Sequence, residues 1–234
     1  MKTVLVPLRD DNPIRCTPFV VYGLIGLNLA MFMVRITLSP QGQNQLFRDW
    51  GMVPAQITAS FQGHLEAPLH AWVTLLSSPF LHGGFFHLGG NLLYLWIFGR
   101  SLEDQLGHLK FLIFYLGCGV LAGLTQWAMD PTATMPTIGA SGAIAGVMGA
   151  YLRRFPKTQI LVLLPLIILF TTIRIPALVF LGIWFAQQAI FSLATLSDQV
   201  NLGSSGVAYW AHSGGFIFGL MLGPMLGLME DQRP

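Results

Sequence analysis

The chain has little charge and almost no cysteine. Only 9% of its 234 residues are Asp, Glu, Lys or Arg, whereas soluble domains carry about 25%. Hydrophobic residues make up 53% and the mean hydropathy is +0.63, so the composition predicts a membrane protein. The formal net charge of +2 is small and scattered, which argues against a nucleic-acid partner.

Two further absences argue against a disulfide-bonded or metal-binding protein and against a cleavable signal peptide. The two cysteines, Cys16 and Cys118, lie far apart, so neither a disulfide nor a cysteine metal site is expected. A cleavable signal peptide is not expected, because the first apolar run, 19–38, is about as long as a full membrane span.

The apolar segments predict an all-α membrane protein with six transmembrane helices in one bundle. The predicted spans are 19–38, 85–102, 109–127, 141–153, 176–193 and 207–226. Residues 1–18 would be a cytoplasmic N-terminal segment, 19–227 the membrane domain and 228–234 a short tail.

Two segments lie outside these spans. Residues 39–80 contain prolines, tryptophans and few charges, which predicts a long loop with short helices partly embedded in the membrane interface. An ordinary exposed loop is the alternative. Residues 160–173 are apolar but short and contain Pro165, so we expect them to be interfacial, re-entrant or buried rather than spanning.

Basic residues indicate how the spans are oriented. With a cytoplasmic N-terminus, most Lys and Arg fall inside, Arg48 falls outside, and Arg35 lies near the outer end of the first span. This positive-inside pattern predicts a multi-pass protein with a cytoplasmic N-terminus, which we expect in a bacterial cytoplasmic membrane.

A serine and a histidine lie within glycine-rich starts of two predicted spans. Ser141 follows Gly139 and precedes Gly142, and His212 precedes Gly215 and Gly219. Gly142, Gly146 and Gly149 lie on or near one helical face, and Gly215, Gly219 and Gly223 repeat at every fourth position. Such stripes of small residues let helix backbones approach closely, so the two side chains could come within hydrogen-bond reach. Plain helix packing without chemistry is the alternative.

Depth and polarity favour a catalytic pair. Ser141 precedes Arg153 by twelve residues, or about 18 Å of helix, which puts the hydroxyl roughly 10 Å below the outer face. A neutral imidazole could take the serine proton as the hydroxyl attacks a carbonyl. No Asp or Glu occurs between Asp130 and Asp198, so the sequence predicts a Ser–His dyad without an orienting carboxylate.

A second polar motif opens the predicted span at 85–102. His87 and Asn91 are four residues apart, on one helical face, and could donate hydrogen bonds to an oxyanion. His82 would brace the loop above. A polar cluster that only joins helices is one alternative. A zinc site is another, but no H-E-x-x-H motif or nearby carboxylate supports it, so we expect no metal.

Together these motifs resemble those of the rhomboid family of intramembrane serine proteases, from about Trp50 to Gly223. The matching residues are Gly139, Ser141 and Gly142; His212, Gly215 and Gly219; His82, His87 and Asn91; and Gly99, Glu103 and Gly107. The resemblance implies a six-helix core that cleaves transmembrane helices of other proteins near their outer ends and needs neither metal nor cofactor. It further implies Ser141 as the nucleophile, His212 as the general base, and His87, Asn91 and the Ser141 amide as the oxyanion hole.

One position departs from the family pattern. Ala145 stands where an aromatic residue often supports the imidazole, so we expect the His212 ring either to be supported by another ring, such as Tyr209 or a phenylalanine, or to be less constrained. A catalytically inactive rhomboid-like protein that binds transmembrane helices is the alternative function. A small transporter or channel is a further one, although the polar residues collect at the outer end only.

Overall fold

The structure, a computed structural model, is mostly helical and describes residues 6–63, 71–166, 169–196 and 207–230. The ends of the predicted N-terminal segment and C-terminal tail, 1–5 and 231–234, therefore lie outside the described residues. In chain order the elements are β1 Val6–Asp10, α1 Phe19–Thr37, α2 Pro40–Trp50, α3 Pro54–Phe61, α4 Thr74–Ser77, α5 Phe85–Tyr94, α6 Arg100–Leu106, α7 His108–Met129, α8 Ser141–Arg154, β2 Gln159–Leu166, β3 Leu169–Pro176, α9 Ala177–Ala194 and α10 Tyr209–Met225.

Helices occupy all six segments that were predicted as spans. In the second of these, α5 and α6 are joined by a π-helical turn, Leu95–Gly99, so the chain is helical from Phe85 to Leu106. The loop predicted at 39–80 contains α2, α3 and α4. A β-bridge between Met52 and Thr137 joins this region to the connection that precedes α8.

The described residues are mostly helical, as predicted, but the expectation of helices alone needs correction, because β1, β2 and β3 form an antiparallel sheet in that order. The segment 160–173, expected to be interfacial, re-entrant or buried, is most of the β2–β3 hairpin. Ile160 and Val162 are fully buried, which is the two-residue period of a strand with one face on the core. The apolar run was too short to distinguish a strand from a buried helical segment by composition.

A buried polar cluster ties the N-terminal strand to the helices. The carboxylate of Asp10, on β1, accepts hydrogen bonds from Ser101 Oγ at 2.6 Å and from Tyr151 Oη at 2.8 Å. Asn12 Nδ2 donates to the same oxygen at 3.1 Å. Because Tyr151 is in the last turn of α8, the sheet lies at the end of α8 opposite Ser141.

A side chain from α6 caps the start of α1. Glu103, which is 1% exposed, accepts hydrogen bonds from the amides of Val20 and Val21, both at 2.8 Å. First-turn amides have no partner within their own helix, so the carboxylate satisfies two of them. Gly107 ends α6 with a φ of +77°, a conformation that favours glycine and lets the chain turn directly into α7.

Helix α8 is enclosed by other helices. Its residues from Gly142 to Tyr151 are buried, mainly against α7 and α10. Among the described residues, three helices are long and apolar enough to cross a membrane by length and composition: α1, α7 and α9. With 14 and 17 residues, α8 and α10 are shorter.

Candidate active site

The structure brings Ser141 and His212 together. Ser141 is the first residue of α8 and His212 lies in the first turn of α10. Ser141 Oγ is 2.7 Å from His212 Nε2, which is hydrogen-bond distance. Both side chains line a cavity of about 600 Å³ that also contacts His87, Asn91 and Trp184.

The two helices meet at their glycines. A Cβ atom on Gly215 would lie 2.1 Å from the carbonyl oxygen of Gly142, and one on Gly219 would lie 1.9 Å from that of Gly146. No real Cβ atom approaches another atom so closely, so glycine is required at both positions for this helix spacing. The spacing between α8 and α10 in turn sets the distance between Ser141 and His212, because both residues lie at the same end of the contact between these two helices.

Gly139 brings the chain into α8 beneath the ring of His87. Its φ is +114°, in the region that favours glycine, and a Cβ there would lie 2.5 Å from His87 Nε2. Its amide donates to the carbonyl of Ser78 at 3.0 Å, which fixes the loop before the serine. The amide of Ser141 follows in the first helical turn, where backbone N–H groups lack helical acceptors.

His87 and Asn91 lie on the cavity side of α5. The Gly83 amide donates to His87 Nδ1 over a long 3.5 Å, and a neutral ring that accepts at Nδ1 carries its N–H at Nε2. Asn91 is 7% exposed and its Nδ2 donates to His82 Nε2 at 2.9 Å. One of the two Asn91 N–H groups is therefore engaged with His82, and the second remains for a ligand in the cavity.

His82 lies in the loop before α5 and is 1% exposed. Burial, and to a smaller extent the nearby His87, lowers the pKa of His82 to about 4. The ring is therefore neutral at physiological pH, with Nε2 accepting from Asn91. This contact joins the loop before α5 to Asn91 on α5.

His212 contacts two residues of α9, Gln188 and Trp184, that were not predicted as site residues. Gln188 Oε1 lies 2.9 Å from His212 Nδ1, and Gln188 is 8% exposed. The ring beside His212 is that of Trp184, and the centroids of the two rings are 5.9 Å apart. Tyr209, which was expected to support the imidazole, instead packs its ring on Phe191. A strongly polar side chain inside an apolar span was a signal for a site residue in α9, but it did not distinguish Gln188 from the adjacent Gln187.

Comparisons with known proteins identify the family. The Rhomboid domain matches residues 69–228. The chain belongs to the rhomboid family. Yeast (Saccharomyces cerevisiae) Rhomboid protein 1, mitochondrial, is 28% identical over 91% of this chain and 55% of its own length. Human presenilin-associated rhomboid-like protein, mitochondrial, is 30% identical over 86% of the chain and 46% of its own length. Rhomboid protease GluP of Bacillus subtilis is 32% identical over 67% of the chain and 26% of its own length.

Family membership establishes a rhomboid-type integral membrane protein with several membrane-spanning helices. At the level of the family it supports intramembrane serine proteolysis of membrane-protein substrates. The chain spans 55% or less of the length of each relative named above. Within the described ranges, no three His, Cys, Asp or Glu side chains are grouped so that they could hold a metal ion.

Proposed function

We propose that this rhomboid is an active intramembrane serine endopeptidase that hydrolyses peptide bonds in or near transmembrane helices of other proteins. Ser141 is the nucleophile and His212 the general base. The observation that supports this most directly is the 2.7 Å contact between Ser141 Oγ and His212 Nε2 inside a cavity lined by further hydrogen-bond donors. No metal or cofactor takes part in the proposed chemistry.

The reaction proceeds through an acyl-enzyme. Ser141 Oγ attacks the scissile carbonyl carbon while its proton passes to His212 Nε2. The tetrahedral intermediate collapses, the carbon–nitrogen bond breaks, and the imidazolium returns the proton to the leaving amine. Water then attacks the ester with His212 again acting as base, which releases the second product and regenerates the serine.

Three donors around the cavity form the proposed oxyanion hole. They are the amide of Ser141, Nε2 of His87 and the second N–H of Asn91. Donors held in place before the reaction stabilise charge that develops in the transition state and need not reorganise. Gly139 contributes by its lack of a side chain, since a Cβ would displace His87.

We further propose how the protein lies in the membrane. The six spans are α1, α5 to α6, α7, α8, α9 and α10, within a membrane domain at 19–227, and the region at 39–80 is partly embedded in the outer interface. The positive-inside pattern supports a cytoplasmic N-terminus and a cavity open to the outer side. The membrane is proposed to be a bacterial cytoplasmic membrane, although relatives include mitochondrial proteins.

The substrate must be a helix that unwinds locally, because a peptide bond within an intact helix is shielded. We therefore propose a preference for spans with Gly or Pro near the cleavage site, since these residues weaken helices. Polar side chains around the cavity would provide access for water.

The test uses the full chain in proteoliposomes with a single-span test substrate that carries Gly and Pro near its outer end. Wild type should cleave it and react with a fluorophosphonate serine probe, whereas Ser141→Ala and His212→Ala should do neither. Ser101→Ala is the matched control, because this buried serine bonds to Asp10 far from the cavity. Intact substrate and no labelling of wild type under every condition would contradict the proposal, and retained substrate binding would then favour an inactive helix-binding protein.

A further inference from the structure

Three side chains from three helices form a continuous hydrogen-bonded chain. Ser141 on α8 contacts His212 Nε2 at 2.7 Å, and His212 Nδ1 contacts Gln188 Oε1 on α9 at 2.9 Å. We propose that Gln188 is a positioning residue that holds His212 in the tautomer able to accept the serine proton. This inference rests on the proposed function for its catalytic consequence, although the tautomer itself can be measured without any activity.

The tautomer matters because a neutral imidazole has one N–H donor and one acceptor nitrogen. His212 can act as a base toward Ser141 only if Nε2 is the acceptor, so the proton must be on Nδ1. An Nδ1–H group buried between helices needs an acceptor, and the amide oxygen of Gln188 provides one. The opposite tautomer would place N–H against the serine hydroxyl and leave no lone pair to receive the proton.

An amide suits this position better than the carboxylate found in soluble triads. Burying a carboxylate among helices has a large desolvation cost, while a neutral amide that makes a hydrogen bond is far less costly. The amide oxygen still accepts from Nδ1–H after the imidazolium forms, so the ring keeps its orientation throughout the cycle. The lack of acids between Asp130 and Asp198 is thus compatible with a third, uncharged member of the site.

The position of Gln188 is itself fixed by neighbouring contacts. Trp184, one turn before it on α9, packs beside the His212 ring at 5.9 Å between centroids. Ser192, one turn after it, lies 2.9 Å from Ser213 Oγ on α10 and donates to the Gln188 carbonyl at 2.9 Å. One face of α9 therefore meets α10 at three successive turns, with Gln188 in the middle.

The preceding residue provides a matched control. Gln187 has the same side chain and is exposed, while Gln188 is buried against His212. The cavity is lined by Trp184 and His212, but Gln188 is not one of the described residues that line it. Replacing Gln188 should therefore alter the reacting pair without altering contacts with the substrate.

Steady-state kinetics in proteoliposomes test the catalytic consequence. Gln188→Met keeps the length of the side chain but loses the amide oxygen, and kcat should fall at least about tenfold with KM little changed. We expect a smaller loss than the roughly 10⁴-fold that follows when the charged orienting residue of a soluble triad is altered. Gln188→Glu, which keeps an acceptor oxygen, should retain more of the wild-type kcat than Gln188→Met, and Gln187→Met should behave as wild type. Equal kcat for Gln188→Met and wild type would overturn the inference.

The tautomer is measured directly by ¹⁵N NMR of histidine-labelled protein, with the His212 signal assigned by comparison with His212→Asn. Wild type should show protonated Nδ1 and unprotonated Nε2 at neutral pH, and Gln188→Met should lose this preference. Protonated Nε2 in wild type, or an unchanged spectrum in Gln188→Met, would refute the role of Gln188. Because this readout needs no turnover, it tests whether Gln188 sets the His212 tautomer even if the wild-type chain neither cleaves a substrate nor reacts with the serine probe.

Discussion

The contact between α8 and α10 at Gly219 offers the most direct test of how packing controls the site. A Cβ at this position would lie 1.9 Å from the Gly146 carbonyl oxygen and 2.6 Å from the Gly146 Cα. Ordinary contact begins near 3.4 Å, so Gly219→Ala must separate the two backbones by about 1.5 Å. Neither contact can be relieved by a rotamer change, because both partners are backbone atoms.

The displacement should reach the reacting pair. His212 is seven residues before Gly219 on the same helix, about 10 Å along its axis. A shift on the order of 1 Å at His212 would extend its 2.7 Å contact with Ser141 to or beyond hydrogen-bond range. Misplacement of about 1 Å costs roughly 10² in rate, and overpacking costs about 1–3 kcal/mol in stability.

The assay compares kcat in proteoliposomes and thermal unfolding in detergent. We expect Gly219→Ala to lose about 10² in kcat at a temperature where it remains folded, with KM less affected. Gly182→Ala on α9 is the matched control, because among the described residues no atom beyond the neighbouring backbone of α9 lies within 4 Å of the added Cβ. Wild-type kcat and unfolding temperature for Gly219→Ala would refute the argument that this glycine sets the helix spacing.

Three further predictions concern other parts of the protein. Asn91→Ala should slow kcat by roughly 10²–10³ if Asn91 is an oxyanion donor, and an unchanged kcat in folded protein would make it a scaffold residue. Asp10→Ala leaves the buried hydroxyls of Ser101 and Tyr151 without their acceptor, so thermal unfolding should show a loss of about 1–3 kcal/mol while Ser141 still reacts with a serine probe. The pKa of His82 falls to about 4 in the folded protein against about 6.5 when unfolded, so its stabilising contribution is complete above pH 6.5 and is lost toward pH 4. The unfolding temperature should therefore drop over that interval, and should drop less in His82→Gln.

The helices could be predicted from the sequence because their signals are local. The first segment, predicted at 19–38, is helical over Phe19–Thr37, and the fourth, predicted at 141–153, is helical over Ser141–Arg154. Glycines at every fourth position also indicated that α8 and α10 pack closely. The approach of Ser141 to His212 followed from that packing, since both residues start a glycine stripe.

The sheet could not be predicted in the same way because its pairing is not local. Strand β1 precedes its partner β2 by roughly 150 residues, and five residues of N-terminal sequence, VPLRD, carry no strong strand signal. The β2–β3 hairpin is apolar along most of its length and so lacks the alternation that marks a half-exposed strand. Only the arrangement of the helices shows that the buried face of the hairpin packs against the end of the helical bundle opposite Ser141.

The contact between Gln188 and His212 depends on the rotation of α9 about its axis. Gln187 and Gln188 are adjacent and identical, yet one is exposed and the other buried against His212. In an almost uniformly apolar helix, no polar face indicates which glutamine points inward. Only the packing of α9 against α10 fixes that rotation, so the third member of the site could not be assigned from the sequence.

Helix α8, which carries Ser141, is less apolar than the helices that qualify as spans, and this difference has a physical reason. The helices that qualify as spans by composition, α1, α7 and α9, have most of their surface outside the protein core, where apolar side chains are required. Helix α8 is covered by its neighbours, so it can be short, rich in glycine and open with a serine hydroxyl. Shielding by other helices thus permits a serine and several glycines in α8, and these residues lower the hydropathy by which the helix would be recognised.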